Sequence, residues 1–282
     1  MVCGHCKYNN PDYVNRCQAC YRDLGFPNVR AAERVEESAA LHARRTHAYE
    51  EAVRRGAEHV LRSFEEAVRQ SKAVLCRQLS VANWLVSSDN VLFGTFWLEI
   101  EAGIRSPEQN SFDQARGAVD ATFFPHYHRE IRFAALSIDE QGPLPYGPCS
   151  IVLRDSNVAH RSTVFEENSL VFARQFKIIV GNPPPLGYRA VWNDRHKLAV
   201  AKLHERIDRA TDRGDFAGIL LKQAAGTDEV EFVEVHIYGS LNRSAIECVR
   251  IPQKEVRSPE AKVIVKSMGR KLAEVGATLV VY

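Results

Sequence analysis

The stretch VEFVEVHIYGSLN, residues 230–242, decides how the C-terminal part of this chain folds. β-Branched and aromatic residues dominate it and Gly239 interrupts the pattern, so it predicts a β-strand over residues 230–238. Its unusual feature is an acidic residue at the centre, Glu234, which stands between two valines. An acid in so apolar a strand needs an explanation from the rest of the chain.

Strict alternation divides the acidic residues of this strand between its two faces. Glu234 shares a face with Phe232 and His236, whereas Glu231 shares the opposite face with Val235. Such a carboxylate is either an exposed residue of an edge strand or part of a polar cleft, and the strand pattern alone favours the edge. At most one of the two acids can face a cleft.

Strand-like and helix-like segments follow one another irregularly between residues 89 and 282. Strands are predicted at 131–138, 149–153, 162–165, 219–221, 230–238, 246–251 and 279–282, and helices at 115–124, 193–209 and 260–272. Because helices do not regularly separate the strands, the predicted class is α+β rather than a doubly wound sheet. No G-x-G-x-x-G follows a strand and no G-x4-G-K-[ST] occurs, so neither a Rossmann site nor a P-loop is supported.

Composition sets wider bounds. The chain has 282 residues, 45% hydrophobic and 26% charged, with a net charge of +2. This balance does not mark the whole surface as a binder of nucleic acid or membrane. No apolar run approaches the ~20 residues of a spanning helix, and the N-terminus lacks a secretory pattern. We therefore expect a cytoplasmic protein with no membrane partner.

Residues 1–28 predict a metal-binding module. Two C-x2-C pairs occur there, Cys3 with Cys6 and Cys17 with Cys20. Two such pairs supply the four thiolates of a structural zinc site, and metal binding would provide most of the folding free energy of so short a segment. A pair of disulfides is the alternative, which an intracellular chain disfavours. A closed four-thiolate shell leaves no open position for catalysis.

The spacing C-x2-C-x3-N-x6-C-x2-C, with Asn10 as the asparagine, resembles the zinc finger of Ran-binding proteins. That resemblance implies recognition of single-stranded RNA, or of a protein partner. The tryptophan that usually precedes the first cysteine is absent, although Tyr8, Tyr13 and Arg16 offer substitutes. A generic zinc ribbon describes the segment equally well.

Residues 29–88 predict a long helical arm. Proline is absent from 29 to about 79, and apolar residues between Val53 and Leu75 recur mostly at three- and four-residue steps. The first half of the arm has a thin, alanine-based stripe, which indicates exposure or contact with a partner such as an antitoxin. The arm is expected to connect the zinc module to a body formed by residues 89–282.

Three short segments of the body stand in a suggestive order. Arg132 lies in the strand-like segment EIRFAALS, Ser162 and Thr163 begin a second one within YGPCSIVLRDSNVAHRSTVFEENSL, and Glu234 lies in the third. The order Arg, Ser-Thr, Glu resembles the ADP-ribosyltransferase superfamily of the Arg-Ser-Glu type, in particular its bacterial and phage-associated members. The resemblance implies a mixed split-sheet domain that uses NAD as substrate.

The same resemblance implies roles for individual residues. The catalytic glutamate would be Glu234 or, if Glu229 and Glu231 form an E-x-E pair, Glu231. A carboxylate stabilises the positive charge that develops on the ribose as nicotinamide leaves. Arg132 would bind the pyrophosphate and Ser162 would orient the glutamate or the ribose. NAD-binding residues would be, in full, Arg132, Ser162, Thr163, Tyr188 and Tyr238, and the loop 223–229 would meet the acceptor.

Three functions follow as hypotheses. The first is transfer of ADP-ribose to a nucleic acid or a protein, with the zinc module selecting the target, as in a toxin or phage-defence effector. The second is hydrolysis of NAD, with water as acceptor. The third is a binding protein without enzymatic activity, in which the zinc module and the arm carry the function.

Overall fold

The structure is a computed structural model that describes residues 1–101, 111–179, 182–223 and 230–282. Within those residues the helices are α1 (Pro27–Ala32), α2 (Val35–Arg54), α3 (Glu58–Arg69), α4 (Leu79–Leu85), α5 (Phe96–Glu101), α6 (Ser111–Phe123), α7 (Asp155–Val158), α8 (Ser169–Gln175), α9 (Arg195–Leu203), α10 (Phe216–Leu220) and α11 (Pro259–Ala273). The strands are β1 (Lys72–Arg77), β2 (Ile131–Ser137), β3 (Cys149–Leu153), β4 (Ser162–Phe165), β5 (Arg189–Val191), β6 (Leu221–Gln223), β7 (Val230–Phe232), β8 (Glu234–Tyr238), β9 (Ile246–Ile251) and β10 (Thr278–Val281).

Eight of these strands form one large mixed sheet in the order β10-β9-β3-β1-β2-β8-β4-β5. Neighbouring strands run antiparallel, except that β9 and β10 are parallel. β6 and β7 pair separately as a small antiparallel sheet. The predicted α+β class is confirmed, and none of the described helices is long and apolar enough to cross a membrane.

The predicted helical arm is three helices followed by a strand. α1, α2 and α3 account for its helical part, but β1 (Lys72–Arg77) lies in the middle of the large sheet. All four inner residues of β1 are buried, so the segment shows no polar-apolar alternation. A short apolar run of this kind cannot be distinguished from a buried helix by periodicity, which is why the strand was not predicted.

The arm packs against the body along most of its length. α2 and α3 both lie against α9. Leu61, Phe64 and Val68 of α3 are fully buried in the main core, which confirms the predicted packing face. Leu41 and Ala48 of α2 are buried there too, so the first half of the arm also serves the core of this chain, contrary to the prediction.

The predicted strand over residues 230–238 is two strands in two different sheets. β7 pairs with β6, whereas β8 lies between β2 and β4 in the large sheet. Val233 separates them, and its carbonyl accepts a hydrogen bond from the amide of Leu136. Glu234 is therefore the first residue of a central strand, not an acid on an edge strand.

Most other predicted elements of the body are confirmed. The strands at 131–138, 149–153, 162–165, 246–251 and 279–282 appear as β2, β3, β4, β9 and β10, and the helices at 115–124, 193–209 and 260–272 appear as α6, α9 and α11. The strand predicted at 219–221 is wrong in its first part, because Ile219 and Leu220 end α10.

The two faces of the large sheet are covered differently near β8. Val235 and Ile237 point into the main core together with residues of α2, α3, α9 and α11. The opposite face is covered by a cluster rich in aromatic side chains, which we call the aromatic cluster. Its buried members are Phe123, Phe124, Tyr127, Ile131, Phe165, Phe172, Ala173 and Ile178.

Candidate functional site

Strand β8 places Glu234, His236 and Tyr238 in a row on the face that carries the aromatic cluster, because alternate residues of a strand point the same way. The register of the neighbouring strands fixes the surroundings of the row. Phe165 of β4 is directly opposite Glu234, and Thr163 of β4 is directly opposite His236. The row therefore lies on a surface formed by three adjacent strands, β2, β8 and β4.

Glu234 is a buried carboxylate with two donors on one oxygen. The Glu234 residue is only 2% exposed to solvent. His236 Nε2 lies 2.8 Å from Glu234 Oε2, and the backbone N–H of Ser169 donates to the same oxygen at 3.0 Å. Burial raises the pKa of Glu234, but the hydrogen bond and charge of His236 outweigh it and hold this pKa below its usual value. The site thus keeps an ionised carboxylate out of water.

His236 is itself enclosed by aromatic rings. The ring centroid of Phe124 lies 4.8 Å from that of His236, Phe133 at 5.4 Å and Phe165 at 5.7 Å. These contacts fix the imidazole so that one nitrogen meets Glu234. A small cavity with room for about one water molecule adjoins the ring and is lined by the residues Asn28, Phe123, Phe124, Tyr127, Thr163, Phe165, Arg189 and His236.

A second carboxyl group, Asp120, approaches from helix α6. It is fully buried, and its Oδ2 accepts a hydrogen bond from Arg116 Nε at 3.3 Å. Burial raises the pKa of Asp120 to about 6, against the attraction of Arg116 and with a further contribution from the charge of Glu234. α6 and the residue that follows it pack on the face of Glu234 through Phe123 and Phe124, and the pKa values of Asp120 and Glu234 are shifted in opposite directions.

The raised pKa of Asp120 predicts a specific pH dependence of stability. The folded protein holds this proton up to about pH 6, whereas the unfolded chain releases it near pH 3.8. The free energy of unfolding should therefore fall by about 3 kcal/mol from this group as the pH rises through that window. Asp120→Asn should remove this contribution, which urea unfolding of both proteins at pH 4, 5, 6 and 7 would measure.

The control for that experiment is Glu50→Gln, which changes an exposed carboxyl group on α2. This variant keeps Asp120, so it should keep the loss of unfolding free energy that Asp120 contributes as the pH rises to about 6. If the curve of Asp120→Asn runs parallel to the wild type, the carboxyl group of Asp120 titrates normally and the prediction is wrong.

The residues predicted from the sequence divide between the two faces of the sheet. Thr163 and Tyr238 lie on the face of Glu234, and Tyr188 packs into the aromatic cluster there, with its ring under the guanidinium of Arg44 at 3.8 Å. Arg132 and Ser162 are both directly opposite Ile237, so they lie on the other face. Arg132 and Ser162 therefore lie on either side of Ile237, on the two strands that flank β8, and neither lies beside Glu234.

The contacts of Arg132 and Ser162 are to the backbone. Arg132 donates to the carbonyls of Phe93 and Glu130, at 3.3 Å and 2.9 Å. Ser162 Oγ donates to the carbonyl of Val158 at 2.7 Å. The expectation that Ser162 orients Glu234 is therefore corrected, because the serine in contact with Glu234 is Ser169.

The alternative acid, Glu231, lies in the small sheet on β7. It forms ion pairs with Lys202 at 3.1 Å and Arg206 at 2.7 Å. Although burial raises the pKa of Glu231, these two cations, Arg206 first, hold it below its usual value. Glu229 and the loop predicted to meet the acceptor, apart from Gln223, lie outside the described residues.

Three residues of the site were not identified from the sequence. Ser169 closes the segment FEENS that follows β4, and its hydroxyl is buried without a hydrogen-bond partner among the described residues. His236 was placed on the correct face but given no role. Asp120 is one acid in the otherwise apolar segment AVDATFF, and that isolation was the available signal.

The four cysteines of the N-terminal module form a second site. Their sulfur atoms all lie within 4.8 Å of one another. Cys3 and Cys20 are 3.8 Å apart and Cys6 and Cys17 are 3.5 Å apart, close to the ~3.8 Å edge of a tetrahedron of sulfurs around zinc. The donor set and its spacing fit a metal ion bound by four thiolates.

The two knuckles of this module have the same construction. In each, the first cysteine's carbonyl accepts from the amide four residues later, Lys7 in one and Tyr21 in the other. Both of those residues have positive φ, 62° and 59°. Asn10, the residue that carries the sequence resemblance, donates from Nδ2 to Cys17 Sγ at 3.5 Å and so orients a ligand. The other cysteines, Cys76, Cys149 and Cys248, are free and buried.

The metal module is docked beside the row on β8. The ring of Tyr13 lies 4.6 Å from that of His126, and the ring of Phe26 lies 5.4 Å from that of Tyr238. Asn28 Nδ2 donates to the carbonyls of Arg161 and His236, at 3.0 Å and 3.2 Å. The segment that leaves the module is therefore anchored directly to strand β8.

Comparison with known proteins adds no assignment to this geometry. The chain matches no protein-family model, and it matches no curated protein.

Proposed function

We propose that the body of this protein transfers ADP-ribose from NAD, and that Glu234 is the carboxylate that acts on the ribose. One observation carries the proposal. Glu234 is a carboxyl group, 2% exposed, whose Oε2 lies 2.8 Å from His236 Nε2 and accepts a hydrogen bond from the amide of Ser169 at 3.0 Å. Retaining a buried charge in this way is costly, and such groups concentrate at sites of chemistry.

The reaction needs a fixed negative charge. When the bond between ribose and nicotinamide breaks, nicotinamide leaves with the electron pair and positive charge develops on the ribose. A preorganised carboxylate stabilises that charge more strongly than water does, because it does not have to reorient. His236 and Ser169 supply the preorganisation by fixing one oxygen of Glu234. The acceptor then adds to the ribose and loses its proton.

Other residues of the same face suit the remaining parts of NAD. Tyr238, which is only partly buried at the edge of the aromatic cluster, is the ring on which nicotinamide would stack. Arg116, whose Nη2 is buried without a hydrogen-bond partner among the described residues, suits a phosphate. Arg189, which lines the small cavity and forms an ion pair with Glu37 at 2.6 Å, is the second candidate. In this proposal they replace Arg132, which lies on the opposite face.

In this proposal the metal module helps to select the target. We infer zinc as its ion, because four thiolates at this spacing suit zinc. The module contacts His126 and Tyr238, so whatever it binds is delivered to the edge of the Glu234 site. The acceptor is proposed to be a nucleic acid or a protein, and a role as a toxin or phage-defence effector follows only by analogy.

The test is incubation of the full-length protein with NAD that carries a label on its adenylate. Release of nicotinamide together with label in RNA, DNA or protein supports ADP-ribose transfer. Release of nicotinamide without labelled macromolecule identifies a hydrolase that uses the same carboxylate. If the protein neither binds nor consumes NAD, the proposal fails and the binding-protein hypothesis is left.

A further inference from the structure

A second cleft opens beyond the far end of β8. It has a volume of about 150 Å³ and is lined by Leu92, Asn157, Arg161, Ser240, Leu241, Asn242, Ser244 and Ala245. Strand β8 alone separates Glu234 from Tyr238 by about 13 Å, and the cleft begins past that end. We call it the Arg161 cleft.

Arg161 is held rigidly at this cleft by the backbone. Its Nε donates to the carbonyl of Asn157 at 2.9 Å, and its Nη1 donates to those of Tyr238 at 3.0 Å and Ser240 at 2.9 Å. Gly239 makes this approach possible, since a Cβ there would lie 3.2 Å from Arg161 Nη1 and its φ is 82°. These bonds use three of the five N–H groups of the guanidinium. The two N–H groups on Nη2 have no hydrogen-bond acceptor among the described residues.

The charge of Arg161 is not balanced locally. None of the residues that line the cleft is acidic, and in the described part of the chain Arg161 forms no ion pair. Burial lowers the pKa of Arg161, and no neighbouring acid acts against it. Arg132, 4% exposed, is a second positive charge near Arg161, but its Nη1 lies 4.0 Å from the carboxylate of Glu130. Arg161 is thus a partly buried cation without an acidic partner among the described residues, and such a group favours an anion.

We propose that the Arg161 cleft binds a phosphate group, with Arg161 as the charged donor and Asn157, Ser240, Asn242 and Ser244 as the polar lining. Guanidinium groups bind phosphate through charge-assisted hydrogen bonds, and a rigid one loses little entropy on binding. The cleft is large enough for a phosphate with its attached sugar carbon, so the phosphate group comes from inorganic phosphate or from a nucleoside monophosphate. None of the residues proposed to act on NAD lines this cleft, so the two proposals stand separately.

The test is calorimetric titration of the full-length protein with inorganic phosphate and, separately, with AMP, at constant ionic strength. The informative variants change Ser240, because it is exposed at the cleft and Arg161 contacts only its backbone carbonyl. Ser240→Glu should weaken phosphate binding by about tenfold and Ser240→Lys should strengthen it, because a charge placed a few ångströms from the anion acts with opposite sign in the two proteins.

The matched controls are Ser38→Glu and Ser38→Lys, which place the same charges at an exposed position of α2. They should leave the phosphate affinity unchanged. Tighter binding of AMP than of inorganic phosphate identifies a nucleotide site, and equal affinities identify a site for the phosphate group itself. The proposal is overturned if the wild type shows no saturable phosphate binding, or if both Ser240 variants shift the affinity in the same direction.

Discussion

Glu234→Gln is expected to lower NAD turnover by about 10²–10³-fold and to leave the fold intact. Glutamine has the shape of glutamate and keeps a carbonyl oxygen that can accept from the amide of Ser169, so the packing under α8 is preserved. The substitution removes the negative charge that stabilises the positive charge developing on the ribose. The rate of nicotinamide release at saturating NAD measures the effect, and circular dichroism with thermal unfolding checks the fold.

Glu231→Gln is the matched control, because it makes the same chemical change on the neighbouring strand β7. Glu231 is committed to Lys202 and Arg206, so its loss should cost those ion pairs and leave the rate within about threefold of the wild type. The reverse outcome, with Glu231→Gln inactive and Glu234→Gln active, would assign the chemistry to the E-x-E alternative. Equal rates in all three proteins would remove Glu234 from the mechanism.

The sequence predicted the elements of the body well where their patterns were distinctive. β2, β3, β4 and β9 are short segments rich in β-branched and other apolar residues, and α11 begins at Pro259, directly after Ser258, whose side chain caps it. β1 was missed because a central strand, buried on both faces, has no alternation to detect. The break at Val233 was missed for a different reason, since the exchange of β-partners there is decided by tertiary pairing.

The candidate site shows the same division between local and tertiary information. Alternation within β8 correctly grouped Glu234 with His236, because that relation belongs to one strand. It could not relate Arg132 and Ser162 to Glu234, because the register between strands decides which residues face the same way, and Ile237 is the partner of both. Asp120 and Ser169 come from helices laid over the sheet, so only the tertiary structure brings them to Glu234.

The placement of the metal module gives Asn28 a role that the sequence did not indicate. Asn28 lies in the first turn of α1, which begins at Pro27, and its side chain donates to two carbonyls of the body. One of these belongs to His236, the residue that holds Glu234, and the other to Arg161, which lines the second cleft. The module and both proposed sites are thus joined by one side chain, although each proposal can fail without the others.

Cys17→Ser is expected to abolish metal binding and to unfold residues 1–26 while the body stays folded. Cys17 is fully buried at the centre of the module. Although burial raises it, the backbone amides of Cys20 and Ala19 hold the pKa of Cys17 at about 6, which favours the thiolate that a metal ion needs. Binding of zinc by four thiolates contributes about 10 kcal/mol or more to so small a module, and without it the segment has almost no apolar core.

Metal analysis of the purified protein should show one zinc per chain in the wild type and none in Cys17→Ser, with new protease cleavage confined to residues before α1. Cys248→Ala is the matched control, since it removes a buried free thiol that lies far along the chain on β9. It should retain the metal and resist protease.

Because the main core is formed by α2, α3, α9, α11 and the large sheet, the body should keep its thermal transition in all three proteins. If the body unfolds together with the module, the docking contacts of Tyr13, Phe26 and Asn28 are essential to the stability of the body and this prediction is wrong. A metal-free wild type would contradict the zinc assignment itself.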